Sequence, residues 1–118
     1  MGRRWELCIN HMPPNLLNAR LIPQARARIT AEWRARAYVE ARLARIPPLA
    51  RVRLSAVFTR RALNVADPDG DMARLKPLAD GLRDAGVIHN DTRRFVEWGP
   101  VTEEHGRPGV RLIVEELP

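Results

Sequence analysis

Two aspartates flanking a proline, Asp67 and Asp69, lie upstream of the chain's single lysine, Lys76, and of a further aspartate, Asp91. The other nineteen basic residues are all arginine. A compact, strongly hydrated ammonium, where guanidinium groups serve everywhere else, suits a point-charge task at a phosphate or a nucleophile. Carboxylates held side by side repel one another unless a cation or proton sits between them. Magnesium suits such a pair because it takes a few carboxylates and fills its other positions with water and phosphate oxygens. Asp67, Asp69, Lys76 and Asp91 therefore outline a metal-dependent site for cutting phosphodiesters.

Positioning these groups sets demands on the chain around them. In extended backbone, residues i and i+2 point the same way, and Pro68 pushes Asp67 towards that geometry, so the carboxylates of Asp67 and Asp69 are expected together. Met72, Leu75, Leu78, Ala79 and Leu82 recur at spacings of three and four, which predicts a helix from about Asp71 to Ala85, stopped by Gly86. Pro77 removes a helical donor, so a kink or a restart is expected there. Such a helix, about 15 residues long, carries the chain roughly 22 Å. Six extended residues from Ala85 to Asp91 span about 20 Å. A strand running back along the helix would bring Asp91 close to the Asp67–Asp69 end, towards which the Lys76 side chain also leans.

The remaining elements follow from periodicity. Trp5 to Asn10 reads as a short strand ended by Met12-Pro13-Pro14-Asn15. An alanine- and arginine-rich helix is expected from about Arg26 to Ile46, with Ile29, Trp33 and Ala37 on one face, Val39, Leu43 and Ile46 on a neighbouring one, and Pro47-Pro48 as its stop. Val52, Leu54, Ala56 and Phe58 alternate with polar residues as in a half-buried strand. Residues 62 to 70 carry loop signals. Val87-Ile88, Phe95 to Val101 and Val110 to Glu115 read as strands, the last two as a hairpin around Gly106-Arg107-Pro108-Gly109. The order β-α-β-α-β-β predicts an α/β (α+β) fold: a small mixed sheet packed with two main helices in a single domain spanning residues 1–118.

Composition bounds the function. A chain of 118 residues with 20 basic and 14 acidic side chains carries +6 at neutral pH, with arginines scattered from Arg3 to Arg111. This suggests a polyanionic partner, most simply nucleic acid, with coding bias and ordinary solvated faces as the equal alternative. Arg60, Arg61, Arg74, Arg93 and Arg94 bracket the acidic cluster and, with Lys76, are the candidate DNA contacts. Cys8 is solitary, which excludes an intrachain disulfide, and its apolar neighbours predict burial. No apolar run reaches the roughly 20 residues of a membrane span and no signal peptide opens the chain, so a soluble, cytoplasmic protein is expected. A calcium loop over Asp67, Asp69 and Asp71 fails at Met72 and Leu78, where glycine and glutamate are required. The plainer alternative makes Asp69 or Asp71 a helix cap and Lys76–Asp80 a surface ion pair.

The stretch DPDGDMARLKPLADGLRDAGVIHND, from Asp67 to Asp91, resembles the signature of RusA-like Holliday junction resolvases. In that family an Asp-x-Asp-Asn opens a helix that carries Lys and then Asp-x-Leu, and a glycine leads into a closing pair of aspartates. Here Gly70 replaces the asparagine, Asn90 replaces the first closing aspartate, and Lys76 stands further from Asp69 than in the shortest motifs. The resemblance extends more loosely to Pro13-Pro14-Asn15 and to the long helix before Pro47-Pro48. It implies that Asp67, Asp69 and Asp91 bind magnesium or manganese, that Lys76 is catalytic, and that Asp80 is a weaker candidate. It further implies a bacterial or phage-encoded homodimer that nicks four-way DNA junctions symmetrically in recombination and repair. The alternative is a catalytically weak module of the same fold that binds branched DNA.

Overall fold

The alternating stretch around Val52 becomes the most enclosed strand of a four-stranded sheet. The computed structural model describes residues 2–14, 21–61 and 68–118, with the backbone alone at 68–70. Its elements are β1 (Arg4–Ile9), α1 (Pro23–Leu43), β2 (Val52–Arg60), α2 (Pro68–Asp84), β3 (Val96–His105) and β4 (Gly109–Glu116). The strand order is β1-β4-β2-β3; β4 runs antiparallel to both neighbours, and β2 and β3 are parallel. The mixed α+β fold and the element order are as predicted.

Both helices cover one face of this sheet. Leu7, Ile9, Val52, Leu54, Ala56, Phe58, Val110, Leu112 and Val114 supply its inner face, meeting Trp33, Ala37 and Ala41 of α1 and Leu75, Leu78, Ala79 and Leu82 of α2. The helices approach closely at Gly81, where a Cβ would strike the Arg34 carbonyl and the Ala37 Cβ. Among the described residues no helix is long and apolar enough to cross a membrane.

Several sequence expectations change. No hairpin joins β3 to β4, because β2 lies between them and Gly106 to Pro108 pass across its end, with the Gly106 N–H donating to the Arg60 carbonyl at 2.8 Å. The cause is the β2-α2-β3 crossover, which delivers β3 parallel to β2. Val39 and Leu43 are exposed because each lies two residues past a core alanine, roughly 200° around the helix. Helix α1 ends before Pro47-Pro48: Arg45 takes a left-handed φ of 55°, and Ile46 donates back to the Ala41 carbonyl at 3.2 Å. Ile46 then turns into the core. Cys8 is exposed, since Leu7 and Ile9 take the buried side of β1.

Candidate active site

Helix α2 carries the site and begins earlier than its hydrophobic pattern suggested. Pro68 stands at its start, where a missing N–H costs no helical bond, so Pro68 and Asp69 lie in the first helical turn and not in extended backbone. Asp67 lies outside the described residues, as does the Asp69 side chain. The helix runs without interruption through Pro77, which is buried. Its end is the expected glycine stop: Gly86 has φ +78°, its N–H bonds the Arg83 carbonyl at 2.9 Å, and Val87 bonds Leu82 at 3.0 Å.

After Gly86 the chain turns back beneath the helix as a pinned loop, replacing the strand expected at Val87-Ile88. Both residues are buried, and the Leu49 N–H donates to the Val87 carbonyl at 2.9 Å. The His89 ring lies 4.9 Å from that of Phe95. Asn90 accepts the Thr92 N–H on Oδ1 at 2.9 Å, a side-chain-closed turn centred on Asp91. Where the family signature has an acid, this residue shapes the loop.

The loop delivers Asp91 to Lys76. Lys76 Nζ donates to Asp91 Oδ2 and, at 2.9 Å, to Asp80 Oδ1 one turn along the same helix. Lys76 is about half exposed and Asp80 mostly covered, so the cluster opens to solvent at its cationic end. Burial is the largest single influence on Lys76 and lowers its pKa, but the hydrogen bonds it donates to Asp91 and Asp80, with the charges of both carboxylates, outweigh it and hold the ammonium above its ordinary value. The Lys76 hydrogen bond draws Asp91 below the usual carboxylate range against opposing burial, with Arg83 adding a smaller effect. Lys76 is thus cationic and Asp91 anionic at neutral pH.

A second ionic cluster stands beside the first turn of α2. Asp71 is 6% exposed and accepts from Arg60 and Arg74 at 3.0 Å each on Oδ1. Arg74 also donates to the Pro13 carbonyl at 3.1 Å, and the Arg60 guanidinium approaches Glu103 at 3.1 Å. That last contact is one of charge, because Glu103 Oε1 and Arg60 Nε have no hydrogen-bond partner among the described residues. The cluster clamps the ends of β2 and β3, the start of α2 and the Met12-Pro13-Pro14 segment. Sequence spacing offered no signal for it, since its members come from four separate stretches.

The candidate DNA contacts therefore divide by environment. Arg60 and Arg74 are largely covered and engaged in this clamp. Arg61, Arg93 and Arg94 are exposed, the last over the Phe95 ring at 5.5 Å. The open face of the sheet differs in character: register places Arg4, Glu115, Arg53 and Glu97 in one row of alternating sign across all four strands. Arg53 pairs with Glu97 at 2.5 Å and Arg111 with Glu104 at 3.0 Å. That balanced face leaves the α2–β3 loop as the better candidate for phosphate.

Among the described residues no three His, Cys, Asp or Glu side chains converge as a metal site. The donor chemistry at Asp91 nevertheless fits a hard cation: an ionised, partly exposed carboxylate oxygen with a second carboxylate, Asp80, tied to the same lysine. Comparison of the chain with protein-family models and with curated proteins finds no match in either.

Proposed function

We propose that this protein is a metal-dependent, structure-specific endodeoxyribonuclease of the RusA-like kind, which as a homodimer resolves four-way DNA junctions by paired phosphodiester hydrolysis. The observation that carries the proposal is the contact between Lys76 and Asp91, fifteen residues apart and joined across a helix end and a pinned loop. A chance surface pair needs no such loop. The resembling signature places its lysine and its closing aspartate at these same two positions.

Asp91 would hold magnesium or manganese together with Asp67 and Asp69, and the ion would supply Lewis acidity at the scissile phosphate. Once Asp91 turns to a cation, Asp80 still holds Lys76 at the site. The ammonium is then free on one side to neutralise charge building on the phosphate oxygens or to orient the attacking water. Arg61, Arg93 and Arg94 steer and seat the backbone without reading sequence. One acidic cluster per chain makes one nick, so a two-fold junction requires two chains.

The test is incubation of a synthetic four-way junction with wild type and Asp69→Asn, with and without magnesium. Wild type is expected to cut only with the metal, and Asp69→Asn to bind without cutting. A wild-type chain that binds junctions but never cuts them would instead be the branched-DNA-binding module, and failure to bind at low salt removes both readings.

A further inference from the structure

The two edges of the sheet are built differently. On β3 the register with β2 slips between Leu54 and Ala56, leaving an extra residue near Gly99-Pro100, and acidic residues follow at Glu103 and Glu104. A bulge, a proline and charges are the usual protections against strand addition. β1 carries charges too, at Arg4 and Glu6, but of opposite sign and with neither bulge nor proline, and among the described residues nothing pairs with its outer side.

Its hydrogen-bonding phase follows from one bond. The Arg3 carbonyl accepts the Glu116 N–H at 2.8 Å, so Arg3, Trp5, Leu7 and Ile9 face β4 with their backbone groups. Arg4, Glu6 and Cys8 therefore turn theirs outward. On the open face the charge row Glu97-Arg53-Glu115-Arg4 ends on a cation at this edge. Within β1, Glu6 stands next to Arg4 on the same face, 3.1 Å from it.

We propose that β1 is the docking surface for a second copy of this chain, paired antiparallel about a two-fold axis through Trp5. In that register Arg4 lies opposite the partner's Glu6, and Glu6 opposite the partner's Arg4. Each sits in a hydrogen-bonded pair, and the charge row of each sheet, which ends on Arg4, meets an acid of the other chain. Shifting the axis to Glu6 sets two glutamates face to face, and shifting it to Leu7 leaves both arginines without an acid. The chosen register adds up to about eight backbone bonds and sets two Trp5 rings side by side.

The helix layer agrees with this axis. Helix α1 meets α2 through Arg34 and Gly81, and its opposite flank overhangs β1, where Val39 and Leu43 are 50% and 72% exposed. A groove there is lined by Cys8, Ile9, Glu32, Arg36, Val39 and Glu40. A two-fold axis perpendicular to the sheet puts the partner's α1 on the same side, against this flank. The inference locates the contact between subunits and stands whether or not the chain cuts DNA.

The test uses charge reversal and reads mass. Wild type is expected to sediment as a dimer, while Arg4→Glu alone and Glu6→Arg alone each weaken dimerisation roughly tenfold or more. Mixing the two variants restores a dimer, because every facing pair is again of opposite sign. Both residues are exposed, and circular dichroism checks that each variant is folded. A monomeric wild type, single variants that dimerise as well as wild type, or a mixture that stays monomeric would each overturn the proposal, and none of these readouts depends on cleavage.

Discussion

At Lys76 the question is why one ammonium stands among nineteen guanidinium groups. Its three donors reach two carboxylates in different directions, Asp80 along the helix and Asp91 across the loop, which a planar fork satisfies poorly. Lys76→Arg is expected to keep junction affinity and to lower the cutting rate by about a hundredfold, measured in single-turnover assays. Asp71 has a different task despite sitting two residues from Asp69. Buried between two arginines, it holds the frame, and Asp71→Asn should cost about 3 kcal/mol in urea unfolding because it leaves both cations underpaired. A variant of unchanged stability that had lost cutting would make Asp71 a ligand instead.

At the scale of elements, the two helices are fastened by close packing at Gly81 and by Arg34, which donates to both Asp84 oxygens at 2.8 and 2.7 Å. The hydrogen bond from Arg34 holds the Asp84 carboxyl below its ordinary range. A depressed pKa means that the pair stabilises the fold above the unfolded aspartate value, near pH 4, and that this contribution disappears as pH falls through the lower folded value. Both side chains are about two-fifths exposed, so screening keeps the effect under about 1 kcal/mol. Wild type and Asp84→Asn should therefore differ by that small amount in urea midpoints at pH 7 and converge in strong acid. A difference that persists at pH 2 would point to packing of the side chain, not its charge.

For the molecule as a whole, net charge is less informative than its distribution. The open sheet face cancels its arginines with glutamates, whereas the α2–β3 loop leaves Arg93 and Arg94 outward beside Asp91. Replacing both loop arginines by glutamine should weaken junction binding and lower the slope of log affinity against log salt by about two, as expected for two lost phosphate contacts. Arg53→Gln on the open face should leave that slope unchanged. Equal effects from both would mean that DNA is drawn by the overall charge and by no particular surface.

The order of elements, the core face of β2 and the glycine stop of α2 were legible in the amino-acid sequence, because they depend on periods of 2 and 3.6 and on one residue's backbone freedom. Chain lengths also allowed Asp91 to return along α2, where the structure places it at Lys76; its approach to Asp67 and to the Asp69 side chain lies outside the described residues. The placement of β2 between β3 and β4 was not legible, since local turn signals cannot register that a helical crossover has already delivered β3 to the other side. Nor was the clamp around Asp71, whose partners Arg60, Arg74, Glu103 and Pro13 are brought together only by packing. Chemistry written at short range survives translation from sequence to structure; interactions between distant segments exist only once the sheet and its helices have closed on one another.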